Sequence, residues 1–395
     1  MDALNLKIVL ILTIGFGLAS LLGYLTQRAK LSPILGYLIA GYLIGPYSPG
    51  YTADLTLAEE LAEIGVILMM FGVGLHFKWQ DLLHTSHIAI PGAICQTLMS
   101  TIAGAVFIYY MGWSLEAGIV LGLAIGVAST VVLVRLLSDN HILNTPEGHI
   151  AVGWLIVEDL ITVVALLLIQ PLAGRHEGAD FSVLQISLAF GLMVLKFIIV
   201  CLVMFTVGRR IVAYFLSKIM KTESHELFTL SVLAITFIIA TGSTLLLGTS
   251  IALGAFIAGI VMGQTNMRQK IYLNSMPLKD AFSVIFFLSI GMLFNPYAIV
   301  ENYVLFIGIL VIILMLKPLV AFLITIAFKY PLKTAFTIAI ALAQIGEFSF
   351  ILSEEALKYK IIPDDGYDIL VACALVSIAI NPLFYKFLKT EKVPA

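Results

Sequence analysis

Apolar runs of bilayer length follow one another along almost the whole chain, and this pattern limits the possible folds more than any other feature. An α-helix rises 1.5 Å per residue, so crossing a hydrocarbon layer of roughly 30 Å takes about 20 residues. Runs of that order lie at 6–26, 31–46, 57–75, 86–111, 116–138, 149–171, 185–208, 226–247, 249–264, 278–294, 303–328, 333–355 and 367–388, thirteen in all. Backbone groups cannot bond to lipid, so each run must satisfy its own as a helix. The expectation is an all-α polytopic membrane protein. With 61% hydrophobic and 12% charged residues over 395 positions, a water-soluble globular core is excluded.

Charge gives the direction of threading. Basic residues gather in alternate connections: Arg28 and Lys30, Lys78, Arg135, Arg209 to Lys221, Arg268 to Lys279, Lys329 and Lys333, and Lys386 to Lys392. Such loops stay cytoplasmic. This places the N-terminus outside and the C-terminus inside. The first run has no basic segment before it and no small-residue cleavage site, so it reads as a retained span. The net charge of -2 hides this segregation and gives no sign of nucleic-acid binding. Cys95, Cys201 and Cys373 all fall inside apolar runs without metal-ligand spacing; they read as small core residues, and no cofactor is implied.

The chain also repeats itself. Leu35 to Gly45 aligns without gaps on Leu253 to Gly263, with six identities in eleven positions that include all three glycines. Downstream, Phe71 to Phe77 falls on Leu288 to Phe294 at nearly the same offset, pairing Gly74 with Gly291. Spans two and three thus match spans nine and ten. A shift of seven spans is odd, so the second copy enters the membrane upside down. Thirteen spans then divide as six, one linker and six, an inverted-topology repeat of the kind secondary transporters use. In such proteins the ion site lies at the midplane between corresponding discontinuous helices. Span five carries Gly126-Val127-Ala128-Ser129-Thr130 and span twelve carries Gln344-Ile345-Gly346-Glu347 at the equivalent depth. These two spans are expected to break and cross, so that four half-helix ends of about half a charge each meet there.

Charges stand in the middle of other runs. Glu158 and Asp159 lie in span six and Lys317 in span eleven. A charge at the centre of a membrane helix costs about 2.5 to 3.5 kcal/mol on insertion scales, so it is usually functional and faces inward. Neighbouring residues on a helix point about 100° apart, so Glu158 and Asp159 cannot both face one ion. Asp159 is expected to bind the ion, with Ser129 and Thr130 as oxygen donors, and Glu158 to pair with Lys317 as an architectural tie or a second proton carrier. Lys317, Glu347 and Gln344 are expected to compensate charge at the crossing. A single carboxylate in a dry site can hold either a proton or a hard monovalent cation, and that competition alone gives exchange. Lys196 in span seven and Glu63 near the start of span three read as local charges, and the seven histidines form no metal pattern.

Several stretches resemble a known family: ELAEIGVILMMFGVGLHF (60–77), GVASTVVLVRLL (126–137), IVEDLITV (156–163), FFLSIGMLFNP (286–296) and AQIGEFSFIL (343–352). Together and in order they are similar to the second monovalent cation:proton antiporter family, most of all its Kef-type potassium efflux members. The resemblance implies an NhaA-like fold and a homodimer in membrane lipid. It implies a dimerisation domain at 1–80 and 226–300, a mobile core at 81–180 and 301–395, and a linker helix at 181–225. The core would carry K+, or Na+, against H+ by elevator-like movement, with Asp159 as the ion- and proton-binding residue and a basic residue at Lys317. Glu158 departs from the Gln common at that place in Kef-type members and resembles the electrogenic sodium exchangers. Kef-type proteins usually continue into a nucleotide-binding regulatory domain. This chain stops at Ala395 without one, as the membrane part of a longer protein or as an unregulated form. The alternatives are a sodium-coupled symporter for an organic solute, which needs a wide polar cavity, and a gated cation channel, which needs a filter.

Overall fold

A computed structural model of the chain describes residues 3–49, 52–76, 79–176, 183–247 and 250–390. Every described element is helical. Helices α1 (Ala3–Arg28), α2 (Pro33–Leu43), α3 (Leu55–His76) and α4 (Trp79–Tyr110) lead to α5 (Leu115–Gly126) and α6 (Thr130–Asp139), then α7 (Pro146–His176). Helix α8 (Val183–Val203) runs through a π-helical turn into α9 (Arg209–Met220), followed by α10 (His225–Leu247), α11 (Ile251–Gly263), α12 (Arg268–Leu293) and the short α13 (Tyr297–Glu301). Helix α14 (Tyr303–Val311) passes through a second π turn into α15 (Lys317–Ala327), and α16 (Leu332–Ala341), α17 (Glu347–Lys358) and α18 (Asp364–Thr390) complete the chain. Among the described residues nine helical stretches are long and apolar enough to cross a membrane, and α2, α11 and α16 are shorter apolar helices. The charges at Lys78 and Lys392, and Phe77 of the repeat, lie outside the described residues.

Local chemistry accounts for the boundaries that matter. Ser32, Ser114 and Ser129 cap α2, α5 and α6, each hydroxyl accepting a hydrogen bond from an N–H of the first turn. The second π turn, Ile312–Leu316, ends at Lys317, directly before Pro318. Proline has no N–H to give the helix ladder, and one extra residue in the preceding turn absorbs the fault. The turn therefore sets the direction in which Lys317 leaves its helix.

Contacts divide the chain into two compact units. One comprises 1–11, 54–78 and 166–289, the other 12–53, 79–165 and 290–395. In the first, Phe71, Leu75, Leu216, Phe228, Ile257 and Val261 form a dry core. In the second, Ile88, Ala128, Leu133, Trp154, Leu155, Ile338 and Leu342 do so, wrapped around α7 and the ends of α5 and α16.

Repeat-related residues make exchanged contacts. Gly74 of α3 lies against the Phe256 carbonyl and Gly259 of α11, while Gly291 of α12 lies against the Leu38 carbonyl and Gly41 of α2. The alignment pairs Phe256 with Leu38 and Gly259 with Gly41. Gly263 lies against Leu75 just as Gly45 lies against Met292. Any side chain at these glycines would meet backbone, which is why small residues recur there.

Candidate functional site

Two helices are interrupted in the second unit, and their gaps touch. Between α5 and α6, Val127 and Ser129 are extended. Between α16 and α17 the chain leaves the helix at Leu342 and re-enters at Glu347 after an extended Gly346. Gly346 N–H donates to the Val127 carbonyl at 3.1 Å, stitching one gap to the other. A Cβ on Gly346 would come within 2.5 Å of the Ala128 carbonyl oxygen, so the approach depends on glycine here. The Gln344 side chain lies across Ser129, accepting from its N–H at 2.9 Å and donating to its carbonyl at 3.1 Å. The expected breaks at 126–130 and 344–347 are where the chain breaks.

Each gap frees backbone groups in a dry environment, and specific side chains take them up. At the first gap Gln96 of α4 donates to the Gly126 carbonyl at 3.2 Å and to Glu158 Oε1 at 2.6 Å, and Ala128 N–H donates to Glu158 Oε2 at 2.8 Å. Both oxygens of Glu158 are thus engaged. At the second gap Lys317 Nζ donates to the Gln344 carbonyl at 3.0 Å and Ile345 N–H donates to Ser377 Oγ at 3.4 Å. Ser349 Oγ of α17 donates to the Ala124 carbonyl at 2.5 Å. Gln96, Glu158, Lys317, Gln344, Ser349 and Ser377 have no exposed surface.

The expected Glu158–Lys317 pairing is corrected by this arrangement. Their charges act on each other through space, but neither side chain reaches the other, because each is held by a broken helix end. The carbonyl end of α16 competes for the ammonium, and the amide end before α6 competes for the carboxylate.

Asp159 is treated differently. It is half-buried, and its Oδ1, enclosed by protein, has no hydrogen-bond partner. The carboxylates of Glu347 and Glu158 both act on it through space. Ser129, expected as an oxygen donor to the ion, uses its hydroxyl otherwise: it caps α6 through Val132 N–H at 3.2 Å and donates to Glu347 Oε2 at 2.8 Å. Thr130 Oγ1 is enclosed and unpartnered, as Asp159 Oδ1 is. Glu347 thereby joins the site through Ser129. Gln96, Ser349 and Ser377 belong to it without having been singled out by the sequence; their only signal is a polar side chain deep in an apolar run. Lys196 is exposed on α8, away from these residues in the chain. Among the described residues no group of three or more His, Cys, Asp or Glu side chains could hold a metal ion. The chemistry on offer is one free carboxylate in a polar, helix-end field, suited to a proton or a monovalent cation.

Two stitched helix gaps with an unpartnered acid beside them are the features to compare with known proteins, and that comparison gives the family. The sequence model for "Sodium/hydrogen exchanger, transmembrane" matches residues 16–389. The protein named cation/proton antiporter YbaL in Escherichia coli is 44% identical over 375 residues, covering 95% of this chain and 67% of YbaL. K(+) efflux antiporter 4 of Arabidopsis thaliana is 29% identical over 357 residues, covering 90% of this chain and 59% of the plant protein. The fold is similar to that of the sodium proton antiporter MjNhaP1 from Methanocaldococcus jannaschii, with a TM-score of 0.72 at 17% identity, covering 99% of this chain and 100% of that one. The chain belongs to the sodium/hydrogen exchanger family and is a membrane transporter, not an enzyme. It spans about two thirds of YbaL and less of the plant relative, so both extend beyond the region compared.

Proposed function

We propose that the chain exchanges a monovalent cation, K+ in preference to Na+, for protons, with Asp159 carrying either one in turn. The observation that carries this reading is the unpartnered Asp159 oxygen beside the crossing. Every other ionisable group there already holds a helix end or a hydroxyl. Glu158, with both oxygens accepting, acts as a fixed counter-charge to Lys317 rather than as a second carrier, so one carboxylate serves each turnover. The preference for K+ rests on the names of the potassium-antiporter relatives and on the Kef-type motifs.

The movement is of the elevator kind. Residues 81–180 and 301–395 travel as a core, residues 1–80 and 226–300 form the dimerisation domain of a homodimer, and 181–225 is the linker. The exchanged contacts Gly74–Phe256 and Gly291–Leu38 support an inverted repeat, the architecture on which alternating access is built. The N-terminus faces outward and the C-terminus the cytoplasm of a bacterial inner membrane. A regulatory domain such as the longer relatives have room for would act from the cytoplasmic side.

The test is transport by the purified chain in liposomes containing a pH dye, under an imposed proton gradient, with K+, Na+ or choline added in turn. Proton movement driven by K+ more than by Na+, absent with choline, and reduced to background in Asp159→Asn with folding and dimerisation intact, is the expected result. Transport retained in Asp159→Asn would overturn the assignment.

A further inference from the structure

We propose that Asn381 of α18 is a positioning residue for the exchange: by holding the carbonyl end of α16 it leaves Lys317 free to serve the Gln344 carbonyl of the gap. This rests on the reading of Asp159 given above. A helix that stops inside a membrane leaves carbonyls with no partner in its own ladder, and they form the negative end of its dipole. Asn381 Nδ2 donates to the Ile340 carbonyl at 2.6 Å and lies 3.5 Å from the Ala343 carbonyl. Lys317 takes the next one, at Gln344. The two donors approach from different helices, α18 and α15.

Asn381 belongs to a strip. Ser377, Asn381 and Tyr385 recur every four residues and so share one face of α18. Each engages α16 or its gap: Ser377 at Ile345 N–H, Asn381 at Ile340 and Ala343, and Tyr385 by a hydrogen bond to Thr337. One turn further from the gap, Thr334 donates to Glu147 of α7 at 3.2 Å. Asn381 has no exposed surface, and its own Oδ1 has no partner. A buried amide with an unsatisfied oxygen is a cost that apolar packing would avoid, which marks the Nδ2 bonds as what the position is for.

The electrostatic consequence has a definite sign. Without Asn381 the Ile340 carbonyl keeps only the bond from Ala343 N–H, at 3.1 Å, and the Ala343 carbonyl loses its side-chain donor, or the two draw Lys317 toward them. Either change makes the crossing more negative and holds the proton on Asp159 more strongly. The charged groups that act there are Glu158 and Glu347 on Asp159 and Lys317 on Glu158, with Tyr385 and Glu147 further along the strip. Asn381→Leu, which keeps the shape and removes the donor, is therefore expected to move the midpoint of the transport pH profile upward by about half a pH unit. Asn381→Asp moves it further in the same direction, and Asn381→Gln restores part of the wild-type profile.

The experiment measures cation-dependent proton movement from pH 5.5 to 9 in liposomes for wild type, these three variants and Ser353→Ala, a buried hydroxyl that bonds only within its own helix. Monodispersity and melting temperature are measured in parallel. An upward shift in Asn381→Leu with an unshifted Ser353→Ala supports the proposal. A profile superimposable on wild type, or one shifted downward, overturns it. Should Asn381→Leu not survive purification, Asn381→Ala, which also lacks a donor, carries the same readout. Wild-type protein that moves no protons with any cation would instead count against the antiporter reading itself.

Discussion

The two gaps at the crossing need the same two services and obtain them from different chemistry. At each, a freed carbonyl takes a side-chain donor and a freed N–H takes a side-chain acceptor. Gln96 serves Gly126 where Lys317 serves Gln344, and Glu158 serves Ala128 where Ser377 serves Ile345. An amide does in one gap what an ammonium does in the other; a hydroxyl does what a carboxylate does. Capping a broken helix therefore does not require a charge. The charges on Glu158 and Lys317 exceed what the architecture asks for; Lys317 acts on Glu158, and Glu158 acts on Asp159. On the proposed reading they help set the field in which that carboxylate exchanges proton for cation.

If this comparison holds, removing the charged member of a pair costs more than removing its neutral counterpart. Lys317→Met leaves the Gln344 carbonyl and the Glu158 charge uncompensated, and loss of one buried partner typically costs about 3 to 5 kcal/mol. We expect a large fall in melting temperature and transport near background. Gln96→Leu leaves Glu158 its bond to Ala128 N–H, and the expected loss is about 1 to 3 kcal/mol with transport reduced but measurable. Thermal unfolding in detergent with parallel transport assays distinguishes the two; equal losses would mean that the charge adds nothing beyond the hydrogen bond.

Gly346→Ala tests the stitch between the gaps. Its methyl would be forced against the Ala128 carbonyl, and overpacking of this kind costs about 1 to 3 kcal/mol. Ser377→Ala should cost only about 1 kcal/mol, the usual net worth of a neutral hydrogen bond. Its loss bares only the Ile345 N–H, held across a long 3.4 Å, so the transport pH profile should move slightly downward, opposite in sign to Asn381→Leu. An upward displacement in Ser377→Ala would contradict the sign assigned to bared helix-end groups.

Much of this was legible in the sequence because bilayer physics narrows the choices. Apolar runs fix helices, and a cluster such as Gly126 to Thr130 inside one predicts where a helix gives way. The pairing of Glu158 with Lys317 was misjudged for a physical reason: a charge count says that opposite charges should meet, but not that each faces a helix end first. Gln96, Ser377 and Asn381 went unnoticed because one amide or hydroxyl in twenty apolar residues costs little to insert and looks the same whether it bonds its own helix or another. Their spacing on α18 gains meaning only once α16 is known to stop beside it.

An ion pair outside the apolar runs' interior gives the comparison its lower bound. Lys7 Nζ bonds Asp54 Oδ2 at 3.0 Å, and Asp54 Oδ1 also accepts from Leu57 N–H at the start of α3. The Lys7 hydrogen bond, more than any other contact, holds the Asp54 carboxyl below its usual range. A carboxylate whose folded value is depressed stabilises the fold at every pH above the unfolded value and ceases to do so as pH falls through the folded one. Asp54→Asn should therefore lower the melting temperature slightly above about pH 5, where an unfolded Asp is ionised, and the difference should vanish as pH falls through the depressed folded value. The difference should shrink on adding salt, since Lys7 is exposed, Asp54 partly so, and the pair is screened. Lys317→Met should respond less to salt, because Lys317 is fully buried and its charge is little screened. An Asp54→Asn effect as large and as salt-resistant as that of Lys317→Met would show that burial at the crossing is not what gives its charges their weight.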